Sequence, residues 1–345
     1  MAFSSSPHAL SRRRFLRQSF AFSALASLGS FSGWADSVPA DPAGAQLLML
    51  GDWGYENPAA QSQVAAGLRA YAKQHSVHPQ ALFMLGDNWY GELAGGAAST
   101  RWQTHFEEMY PAGDFPCPAY AVLGNHDYQR WPESKVDAEL EYARSGRNGG
   151  AATRWTIPAR WYRFEFPAKD PLVTFLALDS NMPRADGKQG LGRDFTLTPE
   201  QQTEQLAWFE AELKRPRTTP FLGVIAHHPV YSDGPHGDHP VLIRDWDPLF
   251  RKYGVDLYMA GHDHDLQHLE FEGHPTSHFL SGGGGADLYP LMVDPAQRGP
   301  YGQKVYGFSH ISVTAQLMTL RHLDQNGNTV HAFTRTPAGK IAIVS

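Results

Sequence analysis

Val255-Asp256-Leu257-Tyr258-Met259-Ala260 is a short run, apolar but for one carboxylate, and it breaks off into Gly261-His262-Asp263-His264. Continuous rather than alternating apolar order fits a strand buried on both faces. The same pattern recurs upstream. Apolar runs at residues 47–50, 81–85, 120–123, 173–178 and 221–226 each end in polar residues. Four of them are followed by Gly51-Asp52-Trp53-Gly54, Gly86-Asp87-Asn88-Trp89-Tyr90, Gly124-Asn125-His126-Asp127 and His227-His228-Pro229. Helical patterns fall between the runs. Residues 61–75 set Val64, Leu68 and Tyr71 on one face. Thr198-Pro199-Glu200-Gln201 is a capping box with proline at its first position, opening a helix whose Leu206, Phe209 and Leu213 face a core. Strands alternating with helices predict an α/β sandwich.

The end of the chain changes character. Residues 311–315, 317–323 and 330–336 predict antiparallel strands with Asn326-Gly327 as a hairpin turn, extending or capping a sheet. The glycine run 282–285 needs backbone freedom, for a tight loop or for close approach to a ligand. With 42% hydrophobic and 19% charged residues over 345 positions, the chain is neither a disordered tail nor an integral membrane protein. Lys+Arg 29 against Asp+Glu 35 leaves no basic excess to follow a nucleic-acid backbone. The single cysteine, Cys117, cannot form an internal disulfide and reads as a small core residue.

Loops at the carboxyl ends of parallel strands line one crevice. The five polar loops therefore bring two Asp, a Tyr, an Asn and several His together from distant parts of the sequence. Each loop alone is weak, because Gly-Asp after a strand is usually only a turn. Five of them, each directly after a buried strand, form a joint signal. Carboxylate and phenolate oxygens suit hard trivalent iron, whereas imidazoles and a neutral amide suit a borderline divalent ion. One carboxylate can bridge two metals ~3.5–4 Å apart, the spacing that clamps both oxygens of a phosphoryl transfer.

This set resembles the purple acid phosphatases within the calcineurin-like metallophosphoesterases, and among them the short, tartrate-resistant type. Carried over residue by residue, the resemblance implies that Asp52, Tyr90 and His264 hold Fe(III). It implies that Asn125, His227 and His262 hold a divalent ion (Fe, Zn or Mn), with Asp87 bridging the two. The likeness runs from about Leu47 to Thr336 and includes Arg154-Trp155-Thr156-Ile157-Pro158, Trp161-Tyr162-Arg163 and Leu178-Asp179-Ser180. It implies a β-sandwich of two mixed sheets flanked by α-helices, with a binuclear metal site at the carboxyl ends of the strands. Most metallophosphoesterases carry Asp-x-His at the first motif. Here it is Asp52-Trp53-Gly54, and Tyr90 supplies the missing donor. That swap favours a phosphomonoesterase with a mixed-valent or iron–zinc pair over a dimanganese diesterase or protein phosphatase.

The implied activity is an acid phosphatase acting on small phosphate monoesters, with a metal-activated hydroxide attacking in line. Together the two ions outweigh two carboxylates, a phenolate and a bridging hydroxide by one charge, which attracts a phosphate dianion to a net acidic chain. His126, next to Asn125, matches the family histidine that contacts phosphate. His236, in Pro235-His236-Gly237, matches the family's leaving-group histidine, and either imidazole could protonate a departing alkoxide at mildly acid pH. His228 stands where the family usually has an aromatic and Tyr128 where it usually has His, so neither receives a role. One alternative is an exported phosphodiesterase or broad nucleotide phosphohydrolase on the same metal core. Another is a non-catalytic phosphate or metal binder, which should have lost a ligand or one of the two histidines.

The first residues read differently. Ser11-Arg12-Arg13-Arg14-Phe15-Leu16-Arg17 precedes a mildly apolar stretch over 19–34, and Gly33-Trp34-Ala35 offers small residues for cleavage. The combination resembles a twin-arginine export signal, and the stretch falls short of the ~20 apolar residues of a membrane span. Residues 1–35 are thus expected to be an export signal, 36–45 a short linker and 46–345 the catalytic domain. The expected partner is the twin-arginine export machinery and the destination is the periplasm or the extracellular space, with no stable membrane anchor after cleavage. That machinery moves folded proteins, which suits a chain that acquires metal in the cytoplasm.

Overall fold

The computed structural model describes residues 44–129, 134–145, 153–183 and 196–344, so the expected export signal and residues 36–43 of the linker lie outside the described residues. Strand β1 (Ala45–Leu50) is followed in parallel register by β2 (Ala81–Met84), β3 (Ala119–Ala121) and β4 (Trp155–Thr156). The chain then builds a second sheet from β5 (Tyr162–Phe166), β6 (Val173–Ala177), β7 (Phe221–Ile225), β8 (Leu257–Ala260), β9 (Leu266–Leu269), β10 (Ser277–Ser281) and β11 (Tyr301–Gln303). It returns to the first sheet with β12 (Gly307–Val313), β13 (Met318–Asp324), β14 (Thr329–Arg335) and β15 (Ile341–Ile343). The orders are β15-β14-β13-β12-β1-β2-β3-β4 and β11-β9-β10-β8-β7-β6-β5. Both sheets are mixed, as the resemblance implies.

All six apolar runs are strands, three in the parallel part of each sheet. Strands β1, β2, β6, β7 and β8 are buried throughout, which is why they read as continuous apolar runs. The sheets meet through aromatic rings: Phe83 of β2 packs edge to face on Phe175 of β6 at 4.9 Å and on Phe164 of β5 at 5.6 Å. The helix Ala59–Gln74 buries Val64, Leu68 and Tyr71. The helix Pro199–Leu213 is capped as its sequence predicts, the Gln201 N–H donating to the Thr198 hydroxyl. Its core face differs in one detail. Leu206 is only half-buried, while Gln205 is fully buried and bonds both the N–H and the carbonyl of Asp179.

The tail strands extend the first sheet, β12 pairing antiparallel with β1. Gly327 turns the β13–β14 hairpin at a φ of 84°. Cys117 is buried, and burial pushes its thiol up to about 11. Among the described residues no helix is long and apolar enough to cross a membrane.

Candidate metal centre

The loop after β1 and the loop after β2 sort their side chains by polarity. Trp53 and Trp89 turn into a buried aromatic cluster, 5.4 Å apart and edge to face, with Trp155 6.1 Å from Trp53. Their neighbours Asp52 and Tyr90 are left on the opposite side. The Tyr90 hydroxyl lies 3.2 Å from Asp52 Oδ1 and 3.0 Å from His264 Nε2, and that nitrogen is 3.5 Å from Asp52 Oδ1. Asp52, Asp87 and His264 each offer a ligand atom within 4.8 Å of the others, and all three are buried. His264 Nδ1 donates to the Asp287 carbonyl at 2.6 Å, which leaves Nε2 as a lone pair facing the carboxylates.

The loops after β3, β7 and β8 supply a second group. His227 Nδ1 donates to the Leu85 carbonyl at 2.9 Å, so Nε2 is the nitrogen turned toward the site. Around that nitrogen stand Asn125 Oδ1 at 3.2 Å, His262 Nδ1 at 3.2 Å and Asp87 Oδ2 at 3.4 Å. The carboxylate of Asp87 thus touches the second group while belonging to the first. All seven residues expected as ligands are brought together.

Acceptors outnumber donors here, and the protonation equilibria respond. Burial would lower the His227 imidazole, but the Asp87 and Asp52 carboxylates push it up to about 10. Burial would raise the Asp87 carboxyl, yet the imidazoles of His227 and His126 hold it below the usual range. Burial, then the carboxylates of Asp87 and Asp52, push the Tyr90 phenol well above its ordinary range. A Tyr90 phenolate therefore needs a cation beside it, and the whole donor set calls for positive charge.

The backbone is bent to make this arrangement. Among the described residues five non-glycine residues have positive φ, and three of them are Asp52 (59°), Asp87 (51°) and His262 (72°). Such conformations cost on the order of 1 kcal/mol or more each and persist where packing enforces them. Gly54 shows the packing. A Cβ there would lie 1.7 Å from the Asn88 carbonyl oxygen, so the loop that delivers Tyr90 leaves no room for a side chain at 54. Gly54 and the loop bearing Tyr90 are thus sterically coupled. The glycine run 282–285 serves close approach as well, but to the chain itself: Cβ atoms would stand 2.0 Å from the Asp263 oxygen at Gly282 and 2.2 Å from the Gly51 oxygen at Gly284.

His126 is half-buried, its N–H donating to Asp87 Oδ1 at 2.8 Å and its ring 4.1 Å from that of Tyr90. The His236 ring lies 4.0 Å from that of His262, with its side chain 42% exposed. Both histidines border the donor groups. Other residues at the site receive no role from sequence alone. His228 falls within 4.8 Å of His227 and His262 as a third nitrogen donor, its Nδ1 2.9 Å from the Ser180 hydroxyl. Asp127, fully buried, accepts the N–H groups of Gly124, Asn88 and Trp89, tying the loop after β2 to the loop after β3. Lys135 reaches the carbonyls on either side of Tyr90, those of Trp89 at 2.6 Å and Gly91 at 3.0 Å. An acidic residue at the end of Gly124-Asn125-His126-Asp127 was the only sequence signal for this support.

The family model of the calcineurin-like phosphoesterases matches residues 45–266, the span that carries every candidate ligand. The chain belongs to the calcineurin-like phosphoesterase family. Within it, the chain is 28% identical over 319 residues to tartrate-resistant acid phosphatase type 5 of Homo sapiens, covering 85% of this chain and 90% of that protein. It is also 28% identical over 297 residues to purple acid phosphatase 7 of Arabidopsis thaliana, covering 83% of this chain and 84% of that one. Among solved structures, a purple acid phosphatase from yellow lupin seeds superposes with a TM-score of 0.63 at 18% identity, over 86% of this chain and 55% of that one. GAP50, described as the anchor in the inner membrane complex of Plasmodium, gives 0.68 at 20% identity over 84% and 87%. These two likenesses concern the fold alone, so the site must carry the functional argument.

Proposed function

We propose that this phosphoesterase-family chain is an exported, metal-dependent acid phosphatase that hydrolyses phosphate monoesters at a binuclear Fe(III)–M(II) centre. The observation that carries the reading is the pair of donor groups joined at Asp87, one rich in oxygen donors and containing Tyr90, the other rich in nitrogen. Asp52, Tyr90 and His264 would hold the trivalent ion, Asn125, His227 and His262 the divalent one, and Asp87 would bridge. When bound, the ions supply Lewis-acid polarisation of the phosphate and a lowered water pKa.

The chain's own residues do the rest. The Leu85 and Asp287 carbonyls fix the two imidazoles with their Nε2 atoms inward. Asp127 and Lys135 hold the loop bearing Asp87 and Tyr90 in place. His126 and His236, at the border of the site, are suited to contact phosphate and to give a proton to the leaving oxygen. Residues 46–345 form the catalytic domain in this reading, with 1–35 as the twin-arginine signal, 36–45 as linker, and the periplasm or extracellular space as destination.

The test compares rates on a monoester and a diester of one alcohol with the metal-loaded protein at mildly acid pH. Faster turnover of the monoester is expected. Preference for the diester would favour a phosphodiesterase, and turnover of neither would favour a binding protein.

A further inference from the structure

Asp263 lies between two candidate ligands, His262 and His264, yet it belongs to neither donor group. Fully buried, its carboxylate turns toward the loop 232–236. Oδ1 is 2.7 Å from His236 Nδ1 and 3.3 Å from the His236 N–H, while Oδ2 takes the hydroxyl of Ser232. The loop is closed so tightly over this carboxylate that a Cβ on Gly234 would lie 2.4 Å from its Cγ.

The partners around Ser232, Asp263 and His236 orient the proton of each hydrogen bond that joins them. Gln267 Oε1 accepts the Asp233 N–H at 2.8 Å, which places its amide nitrogen toward Ser232. Ser232 Oγ then accepts from Gln267 Nε2 at 3.0 Å and from the Gly234 N–H at 2.9 Å. Both lone pairs are taken, so the one hydroxyl proton goes to Asp263. Asp263 acts as an acceptor only, and the proton between it and the imidazole sits on Nδ1. The opposite edge of the ring, at Nε2, is the part of His236 left for other partners, and the ring face lies against His262.

We infer that Asp263 is a positioning residue: the chain Ser232–Asp263–His236 holds the imidazole by its Nδ1–H, so that the proton His236 gives to the departing oxygen comes from Nε2 and leaves the Nδ1–H form behind. The inference rests on the phosphomonoesterase reading for its kinetic consequence, but the tautomer itself is independent of that reading.

Asparagine at 263 is not conservative here. Its amide would face either the Ser232 hydroxyl, setting two donors against each other, or His236 Nδ1, forcing the opposite tautomer. Removing the hydroxyl as well lets the amide turn to position 232 and the carbonyl to Nδ1. Asp263→Asn should therefore lower kcat on an alkyl phosphate on the order of 10–100-fold, with KM and metal content unchanged. The loss should be far smaller on a nitrophenyl ester, whose leaving group hardly needs a proton. It should vanish in a His236→Ala background and be largely restored in Asp263→Asn/Ser232→Ala.

A second readout needs no turnover. In zinc-loaded, histidine-labelled protein, long-range 1H–15N spectra should show His236 protonated at Nδ1 in the wild type and at Nε2 in Asp263→Asn. Equal losses on both esters, loss of metal, additivity with His236→Ala, no restoration by Ser232→Ala, or an unchanged tautomer would each overturn the inference. A metal-loaded wild type that shows the Nδ1 proton but hydrolyses no monoester would overturn the proposed function and leave the positioning role standing.

Discussion

Alanine at position 54 should disable the site without altering any candidate ligand. Its Cβ would stand 1.7 Å from the Asn88 carbonyl oxygen and 2.9 Å from the Trp89 nitrogen, both backbone atoms of the loop bearing Asp87 and Tyr90. The two segments are tied by the Tyr90 N–H on the Gly54 carbonyl at 2.9 Å and the Gly54 N–H on the Asp87 carbonyl at 3.3 Å. Carbon and oxygen settle at ~3.3–3.6 Å, so the segments must part by roughly 1.5–2 Å. Overpacking of this kind costs about 1–3 kcal/mol, a melting temperature lower by several degrees. A misplacement near 1 Å costs on the order of 10² in rate, so turnover should fall at least that far. Gly113→Ala is the control, because a Cβ there meets nothing within 4 Å. Thermal unfolding, metal analysis and monoester hydrolysis on both variants decide the matter. Full metal content and normal turnover in Gly54→Ala would refute the coupling between Gly54 and Tyr90.

Three further outcomes are expected. In Tyr90→Phe the ring and its packing remain while the oxygen donor is lost, so the fold should survive, iron should bind more weakly, and any visible phenolate-to-iron charge-transfer band should vanish; an unchanged band would remove Tyr90 from the iron. Asp87→Asn, which weakens the one carboxylate shared by both donor groups, should lower the content of both metals and abolish hydrolysis, read by elemental analysis beside turnover. Replacing Arg12 and Arg13 together by Lys should leave unprocessed precursor in the cytoplasm, and normal processing in a fractionation experiment would point to another route.

The parallel strands were legible because burial on both faces leaves continuous apolar runs, and the candidate ligands because each follows such a run directly. What escaped was polar and buried. Strand β10, Ser277–Ser281, is fully buried despite two serines and a histidine, so no apolar pattern marks it. Short β4 and β11 are edge strands whose pairing depends on neighbours far away in sequence. The same holds at the site. Asp263 stood inside the His-Asp-His motif, but its role depends on Ser232 and Gln267, which only the fold brings beside it. His228 directly follows the apolar run of β7, and only the pairing of β7 with β8 places it beside His262, with ring centroids 4.2 Å apart.

The binuclear centre stands or falls on metal stoichiometry measured against activity. Protein stripped by chelation should hydrolyse no monoester. Titration with iron and then with a divalent ion should restore turnover, saturating at two ions per chain, one of them iron. Full hydrolysis by the stripped protein, or saturation at a single ion, would contradict the binuclear account.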